Sequence, residues 1–378
     1  MEWVFKMTIP KQILFVSKPL TPPWNDSNKN LAYQIAENNP EFIFKLMTKT
    51  GMKFSSKHLR DIQIYKDSGK LSPPLLQNLR VLIYLLGIGK SIELKHYFFT
   101  PNKLTSSVGK LVTKLQKKKT VQTLTSFPNE TANIKDLLFA DKVVALSKDS
   151  AQKLKSLGVE GVEVIYPGIE TPVEVNTLKV NMLKKQYKSN DEKLILYCGD
   201  YHYSNCENIL TSFIGEIKNL NFECNFVSAC RIKTHLDFKV ESNLKSVVDK
   251  LGLSKRVHFL NEIDYIRELL AAADLVIFPV NSLFAKMDIP LVLLEALYLE
   301  TPILISDFAP LNEILIEKCG LKFAPNDFND FISKFKLFFS DSNLQKNIIS
   351  KTRLNVINNF SSKVMAENYR KIYKELLI

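Results

Sequence analysis

One carboxylate, Glu295, stands among Leu293, Leu294, Ala296 and Leu297. Such surroundings strip a charge of water, so this acid needs a polar partner. Leu291, Leu294, Glu295 and Tyr298 recur at helical spacing, which predicts a short helix opened at Ile289–Pro290 and stopped by Pro302. The first N–H groups of a helix lack intrahelical acceptors and lie at the positive end of its dipole. Residues 281–289 lead into that start and would present it to an anion. A nucleoside diphosphate meets both demands, with phosphates at the helix tip and ribose hydroxyls on the carboxylate. A surface helix with one ordinary glutamate is the alternative reading.

The elements that must hold these groups are legible around them. LVIF (275–278) is a continuous apolar run, as a parallel strand covered on both faces requires. KLILYC (193–198), NFVSACRIKTH (225–235), VHFL (257–260) and ILIS (303–306) repeat the pattern with helical stretches between them. In the first half, QILFVSK (12–18), EFIFKLMT (41–48), IQIYKD (62–67), KHYFFTPN (95–102) and TVQTLTSFP (120–128) do the same. Alternating strands and helices predict α/β architecture in two doubly wound, Rossmann-like domains. The expected division is 1–170, 171–360 and a terminal helix over 361–378. Loops at the carboxyl ends of strands line the ligand crevice of such sheets. Asp26, a candidate helix cap, and Lys29 follow the first strand. His96 lies inside a strand-like segment, where a core role competes with a catalytic one.

The segment DIPLVLLEALYLETPILIS (288–306) resembles the donor-site signature of the retaining GT-B glycosyltransferases of family 4, in which two glutamates eight residues apart straddle a helix start. The resemblance places Glu295 at the second glutamate, which binds ribose. The first falls on Met287, with Asp288 one place late as its possible substitute. It implies two Rossmann-like domains facing across a cleft, with the diphosphate near Gly199, Asp200, Ile289, Pro290 and Leu291. Family members carry an arginine and a lysine after the glycine corresponding to Gly199; this chain has Asp200, Tyr201, His202, Tyr203 and Ser204. A leaving diphosphate gains charge as the glycosidic bond breaks and needs cations. Arg231 and Lys233 are the expected replacements, and a solvated Arg-x-Lys pair is the other reading. The stretch from Asn261 to Asp264 would line the base pocket. The acceptor side would draw on Lys29, Asp26, His96 and Thr125; Thr125 or Ser126 stands where family members often place a histidine. The resemblance further implies a UDP- or GDP-sugar as co-substrate, no obligatory metal, a glycan or lipid-linked acceptor, and the last helix packed back on the first domain.

A chain of 378 residues with 46% hydrophobic and 24% charged residues is globular and long enough for two cores. Five cysteines without a CxxC pair predict buried, reduced thiols and a cytoplasmic setting, not a zinc site. The longest apolar stretch, VLIYLLGIG (81–89), is too short to span a bilayer. Net charge is +12, and residues 1–170 hold 25 Lys+Arg against 14 Asp+Glu. SVGKLVTKLQKKK (107–119) reads as a basic helix in which Lys110, Lys114 and Lys117 share a face with Lys118 and Lys119 beside its end. It is a candidate peripheral contact with anionic lipid. The lysines have no interleaved aromatics, which argues against single-stranded nucleic acid. A non-catalytic sugar-nucleotide binder or scaffold, and a basic module binding membrane or acidic polymer, are the rival readings.

Overall fold

The computed structural model describes residues 10–24, 26–66, 75–87, 92–128, 133–189, 191–283 and 286–378, with the backbone alone at 75, 76 and 78. The chain divides into two compact units, one running to Gly168 and including Ser362–Ile378, the other Ile169–Ser361.

The first unit builds, in order, β1 (Gln12–Val16), α1 (Ser27–Glu37), β2 (Ile43–Lys49), β3 (Leu59–Tyr65), α2 (Leu75–Leu86), β4 (Leu94–Phe98), α3 (Lys103–Gln116), β5 (Lys119–Thr123), the short α4 (Ile134–Leu137), β6 (Lys142–Ala145), α5 (Lys148–Ser156) and β7 (Val162–Val164). Among the described residues these strands form one parallel sheet in the order β3-β2-β1-β4-β5-β6-β7. Helices cover both faces, so the central strands carry continuous apolar runs: Ile13, Leu14 and Phe15 of β1 are fully buried. Ser147 caps α5 by accepting the Ser150 N–H at 3.0 Å.

The basic helix differs from its sequence reading. Asn102 accepts the Thr105 N–H at 3.0 Å and starts α3 at Lys103. The helix ends at Gln116 because Lys117 turns left-handed (φ 52°). Lys119 already belongs to β5. Lys117, Lys118 and Lys119 therefore do not extend the helical stripe; Lys103 joins Lys110 and Lys114 instead.

The second unit contains α6 (Thr177–Tyr187), β8 (Lys193–Tyr197), α7 (Glu207–Glu216), β9 (Cys224–Ala229), α8 (His235–Lys250), β10 (Val257–Leu260), α9 (Ile266–Ala272), β11 (Leu275–Phe278), α10 (Leu291–Tyr298), β12 (Ile303–Ser306), β13 (Leu321–Phe323), α11 (Phe328–Ser340) and α12 (Ser342–Asn359). Its strands are parallel in the order β10-β9-β8-β11-β12-β13. The order reverses between β8 and β11, and a doubly wound sheet offers its ligand crevice at that point. The five cysteines are free and buried.

The last helix, α13 (Ser362–Leu377), belongs to the first unit. Its Tyr373 hydroxyl lies 2.7 Å from His96 Nδ1, and His96 Nε2 lies 2.7 Å from Thr123 Oγ1, which in turn meets the Tyr369 hydroxyl at 2.9 Å. His96 is fully buried, and burial holds its pKa well below 6.5. The imidazole is a neutral cross-link between β4, β5 and α13, which removes it from the acceptor-side candidates.

Candidate functional site

The site begins with the end of β8. Tyr197 is fully buried, and its hydroxyl donates to the Asp200 carbonyl at 2.6 Å, so the chain wraps tightly over the ring. A Cβ on Gly199 would stand 2.6 Å from the Tyr197 hydroxyl oxygen and 2.9 Å from Cζ, so only glycine fits the turn. That turn delivers Asp200, 7% exposed, into the carboxyl-end loops. Lys233 Nζ lies 2.8 Å from Asp200 Oδ1, and Lys286 Nζ lies 3.2 Å from Oδ2. Lys286 also donates to the Ser204 hydroxyl. Burial alone would raise the Asp200 pKa, but Lys286 and Lys233 outweigh it and hold the carboxyl below its usual range.

A second carboxylate fixes these loops. Asp237, in the first turn of α8 and 1% exposed, accepts the His202 N–H at 3.0 Å on Oδ1. Its Oδ2 accepts the Thr234 N–H at 3.0 Å, the Thr234 hydroxyl at 2.8 Å and the Lys233 N–H at 3.3 Å. Thr234 Oγ1 accepts the Asp237 N–H in return, which closes a capping box. One side chain thus ties the β8 loop to the β9 loop that carries Lys233. These bonds offset its burial and lower its pKa.

Arg231 is half-buried in the same β9 loop and forms no ion pair with another described residue. Asn261 is exposed beyond β10; with its amide oriented to suit both neighbours, it donates to Glu241 Oε2 at 3.0 Å and to the Cys230 carbonyl at 3.2 Å. Glu295 has the polar partner its surroundings demand: Arg267 Nε of α9 donates to Oε1 at 2.9 Å. Its side chain is 15% exposed. Burial raises the Glu295 pKa and Arg267 partly opposes the rise.

The helix that carries it, α10, starts one residue later than the sequence reading placed it. Pro290 (φ −65°, ψ 119°) is the N-cap and Leu291 the first helical residue. Proline offers no side-chain acceptor, so the N-cap residue itself caps none of the first N–H groups of α10 through its side chain. Met287, at the first-glutamate position, is buried, as are Asp288 and Ile289. Residues 284 and 285 of the preceding loop lie outside the described residues.

In the first unit, Asp26 caps α1, accepting the N–H of Asn28 at 2.9 Å and of Lys29 at 3.3 Å. Lys29 Nζ donates to the Thr21 carbonyl at 3.1 Å, and burial lowers its pKa. Thr125 is 1% exposed, and its hydroxyl has no hydrogen-bond partner among the described residues. The neighbouring half-buried Ser126 instead shares a short hydrogen bond with Thr100.

The structure therefore gathers Gly199, Asp200 and Lys233 as the sequence reading did, and adds Lys286, Arg267 and Asp237. Lys286 could have been found as a cation just before the signature helix in a site short of positive charge. Arg267 could have been found as the partner Glu295 required. Asp237 gave the weaker signal of a Thr-x-x-Asp capping pattern. Among the described residues, no group of three His, Cys, Asp or Glu side chains could hold a metal ion.

Residues 181–355 match the family model described as Glycosyl transferases group 1. No curated protein matches the chain. Three solved structures share its fold over nearly their whole length. A glycosyltransferase from Rickettsia africae superposes with TM-score 0.76 at 19% identity, covering 97% of this chain and 99% of that one. HepE of Anabaena in complex with UDP and glucose gives 0.74 at 16%, covering 97% and 100%. Sucrose-phosphate synthase from Thermosynechococcus elongatus gives 0.76 at 18%, covering 97% and 99%. At such identities the likeness establishes the fold.

Proposed function

From the premise that this is a chain of GT-B fold whose residues 181–355 match group 1 glycosyltransferases, we propose that it moves a sugar from a nucleoside-diphosphate donor to a hydroxyl acceptor with retention. The observation that carries the reading is the convergence of Lys233 and Lys286 on Asp200 at the carboxyl end of β8, beside the switch point of the sheet. Two ammonium groups held by one carboxylate form a cradle for a doubly charged leaving group.

In this proposal the donor diphosphate takes the two lysines from Asp200, and Arg231 supplies a third cation. The α10 tip faces the phosphates, Glu295 accepts the ribose hydroxyls beside Arg267, and Asn261 lies at the base. As the glycosidic bond lengthens, negative charge grows on the phosphate oxygen and the ammonium groups stabilise it more in the transition state than in the ground state. The departing oxygen can take the acceptor's proton, so the reaction needs no strong protein base. Because lysine and arginine supply the positive charge, the transfer needs no obligatory divalent ion. Lys29 and the Thr100–Ser126 hydroxyl pair are the first unit's candidates for a glycan or lipid-linked acceptor. The working compartment is the cytoplasm, with peripheral attachment to membrane.

Met287 at the first-glutamate position favours one rival, a binder that holds the donor without turning it over. Thermal unfolding with a panel of UDP- and GDP-sugars at millimolar concentration tests the donor site, since a ligand at 100 times its Kd stabilises by about 2.7 kcal/mol. A shift with at least one nucleotide is expected; no shift with any defeats the reading. Donor hydrolysis, present in an enzyme and absent in a mere binder, separates the two.

A further inference from the structure

We propose that the loop after β1 and the end of β2 form a subsite for a saccharide carrying a phosphate ester, with Lys18, Lys29 and Lys49 on the phosphate and the Trp24 ring under the sugar; the assignment rests on the transfer reaction proposed above, whose acceptor class it names. β1 stands next to β4, where the order of the first sheet reverses, and loops leaving strand ends at such a point border the ligand crevice. The loop after β1 is held in shape by its own polar contacts. The Leu20 N–H donates to the Met47 carbonyl at 2.9 Å, Lys29 Nζ to the Thr21 carbonyl at 3.1 Å, and Asn30 Nδ2 to the Trp24 carbonyl at 3.2 Å. A loop fixed in advance loses little entropy when a ligand arrives.

Three ammonium groups meet there. Lys18 follows β1, Lys29 lies in the first turn of α1 and Lys49 ends β2. Burial lowers the Lys29 pKa; the charges that act on it besides are Asp26, which opposes the shift, and Lys49 and Lys18, which add to it. Asp26 is already divided between two helix N–H groups and Lys18, whose Nζ lies 3.8 Å from Oδ2. Three ammonium groups and one carboxylate leave two positive charges, and a phosphate monoester carries about −1.5 to −2 at pH 7. Beside them the Thr21 hydroxyl, in a residue 5% exposed, has no hydrogen-bond partner among the described residues. Buried hydroxyls seldom go without one, and a phosphate oxygen drawn in by Lys29 would provide it.

The sugar half of the ligand follows from the rings. Trp24 stacks on Tyr33 of α1 with centroids 4.8 Å apart and planes at 28°, and Tyr33 stacks on Phe54 of the loop after β2 at 6.1 Å and 20°. All three are half-buried, so the row lies at the surface and not in the core. Trp24 stands at its end. The face of an aromatic ring is negative and the C–H groups along one side of a pyranose are weakly positive, so a sugar packs flat on such a ring. A binding patch with an aromatic floor and a few placed charges selects a ligand that has both parts.

The test is isothermal titration of the full chain with hexose and N-acetylhexosamine 1- and 6-phosphates, against the parent sugars, glucuronate and inorganic phosphate, with UDP titrated into the same samples. At least one sugar phosphate should bind more than about tenfold tighter than its parent sugar and than inorganic phosphate. Lys29→Met should weaken it about tenfold to a hundredfold. Trp24→Ala should reduce it to the level of inorganic phosphate, and Trp24→Phe, which keeps a stacking ring, should restore most of the difference; circular dichroism checks that the variants fold. UDP binding should be the same in all of them. A free sugar phosphate and a lipid-linked one share this chemistry, so geranyl diphosphate glucose is titrated beside glucose 1-phosphate, and the tighter ligand names the source. Sugar phosphates that bind no better than sugars, glucuronate that binds as tightly as they do, or a Lys29→Met that weakens UDP binding by the same factor would each overturn the proposal. UDP binding without sugar phosphate binding defeats this subsite and leaves the transfer reaction standing; the reverse defeats the transfer reaction and leaves the subsite.

Discussion

In the free protein Asp200 already occupies the two ammonium groups that the donor diphosphate is proposed to use, so replacing it by asparagine exposes the competition. Asp200 and Lys286 are 10% and 16% exposed in their side chains at 3.2 Å, and a charge-assisted hydrogen bond of that kind contributes about 1.5–3 kcal/mol. Lys233 is 38% exposed, and solvent reduces its pair to about 0.5–1 kcal/mol. Asparagine keeps a carbonyl acceptor and so retains part of this. Asp200→Asn should release about 1.4–2 kcal/mol of lysine pairing and tighten UDP or GDP binding about ten- to thirtyfold in isothermal titration. The same variant should lose about 1–2 kcal/mol of stability at pH 7. Because the folded pKa lies below the ordinary value of 3.8, the carboxylate's contribution is present above that value and vanishes as pH falls through the folded pKa. Parent and variant should therefore converge in urea unfolding once the pH falls below the folded pKa. Nucleotide binding unchanged or weakened in Asp200→Asn refutes the displacement, and would make the aspartate a donor contact itself.

Lys286→Met should cost about 1.5–3 kcal/mol of donor affinity, read by titration, and should cancel the gain in Asp200→Asn; additivity would show that the two residues do not serve one ligand. Glu295→Gln should weaken donor binding about tenfold to a hundredfold. Since burial raises the Glu295 pKa, the parent loses stability as pH rises above 4.5 through the folded value, and the glutamine variant should lack that loss in unfolding experiments between pH 4 and 7. His96 has its pKa lowered, so the parent should lose about 1.4 kcal/mol of stability per pH unit below 6.5 while the imidazole stays neutral; His96→Gln should remove that slope and spare turnover, and a selective loss of turnover would restore a catalytic role. Gly199→Ala should destabilise by about 1–3 kcal/mol in urea, because the buried Tyr197 ring leaves the new methyl no room.

The strand and helix alternation was readable because central parallel strands, covered on both faces, write themselves as apolar runs such as LVIF and ILIS. Glu295 was readable too, as a charge among leucines that had to find a partner. Local chemistry even marked a cap, Asp26, whose side chain bonds the N–H groups two and three residues on. What the sequence left open was partnership across distance. Asp200 meets lysines 33 and 86 residues away, Glu295 meets Arg267 from the preceding helix, and His96 bonds a tyrosine 277 residues on. A histidine in a strand reads alike whether its ring faces ligand or core, because period-two alternation names a face and not what covers it. Spacing fixes a residue's direction on its own element, and only packing of element against element decides what waits there.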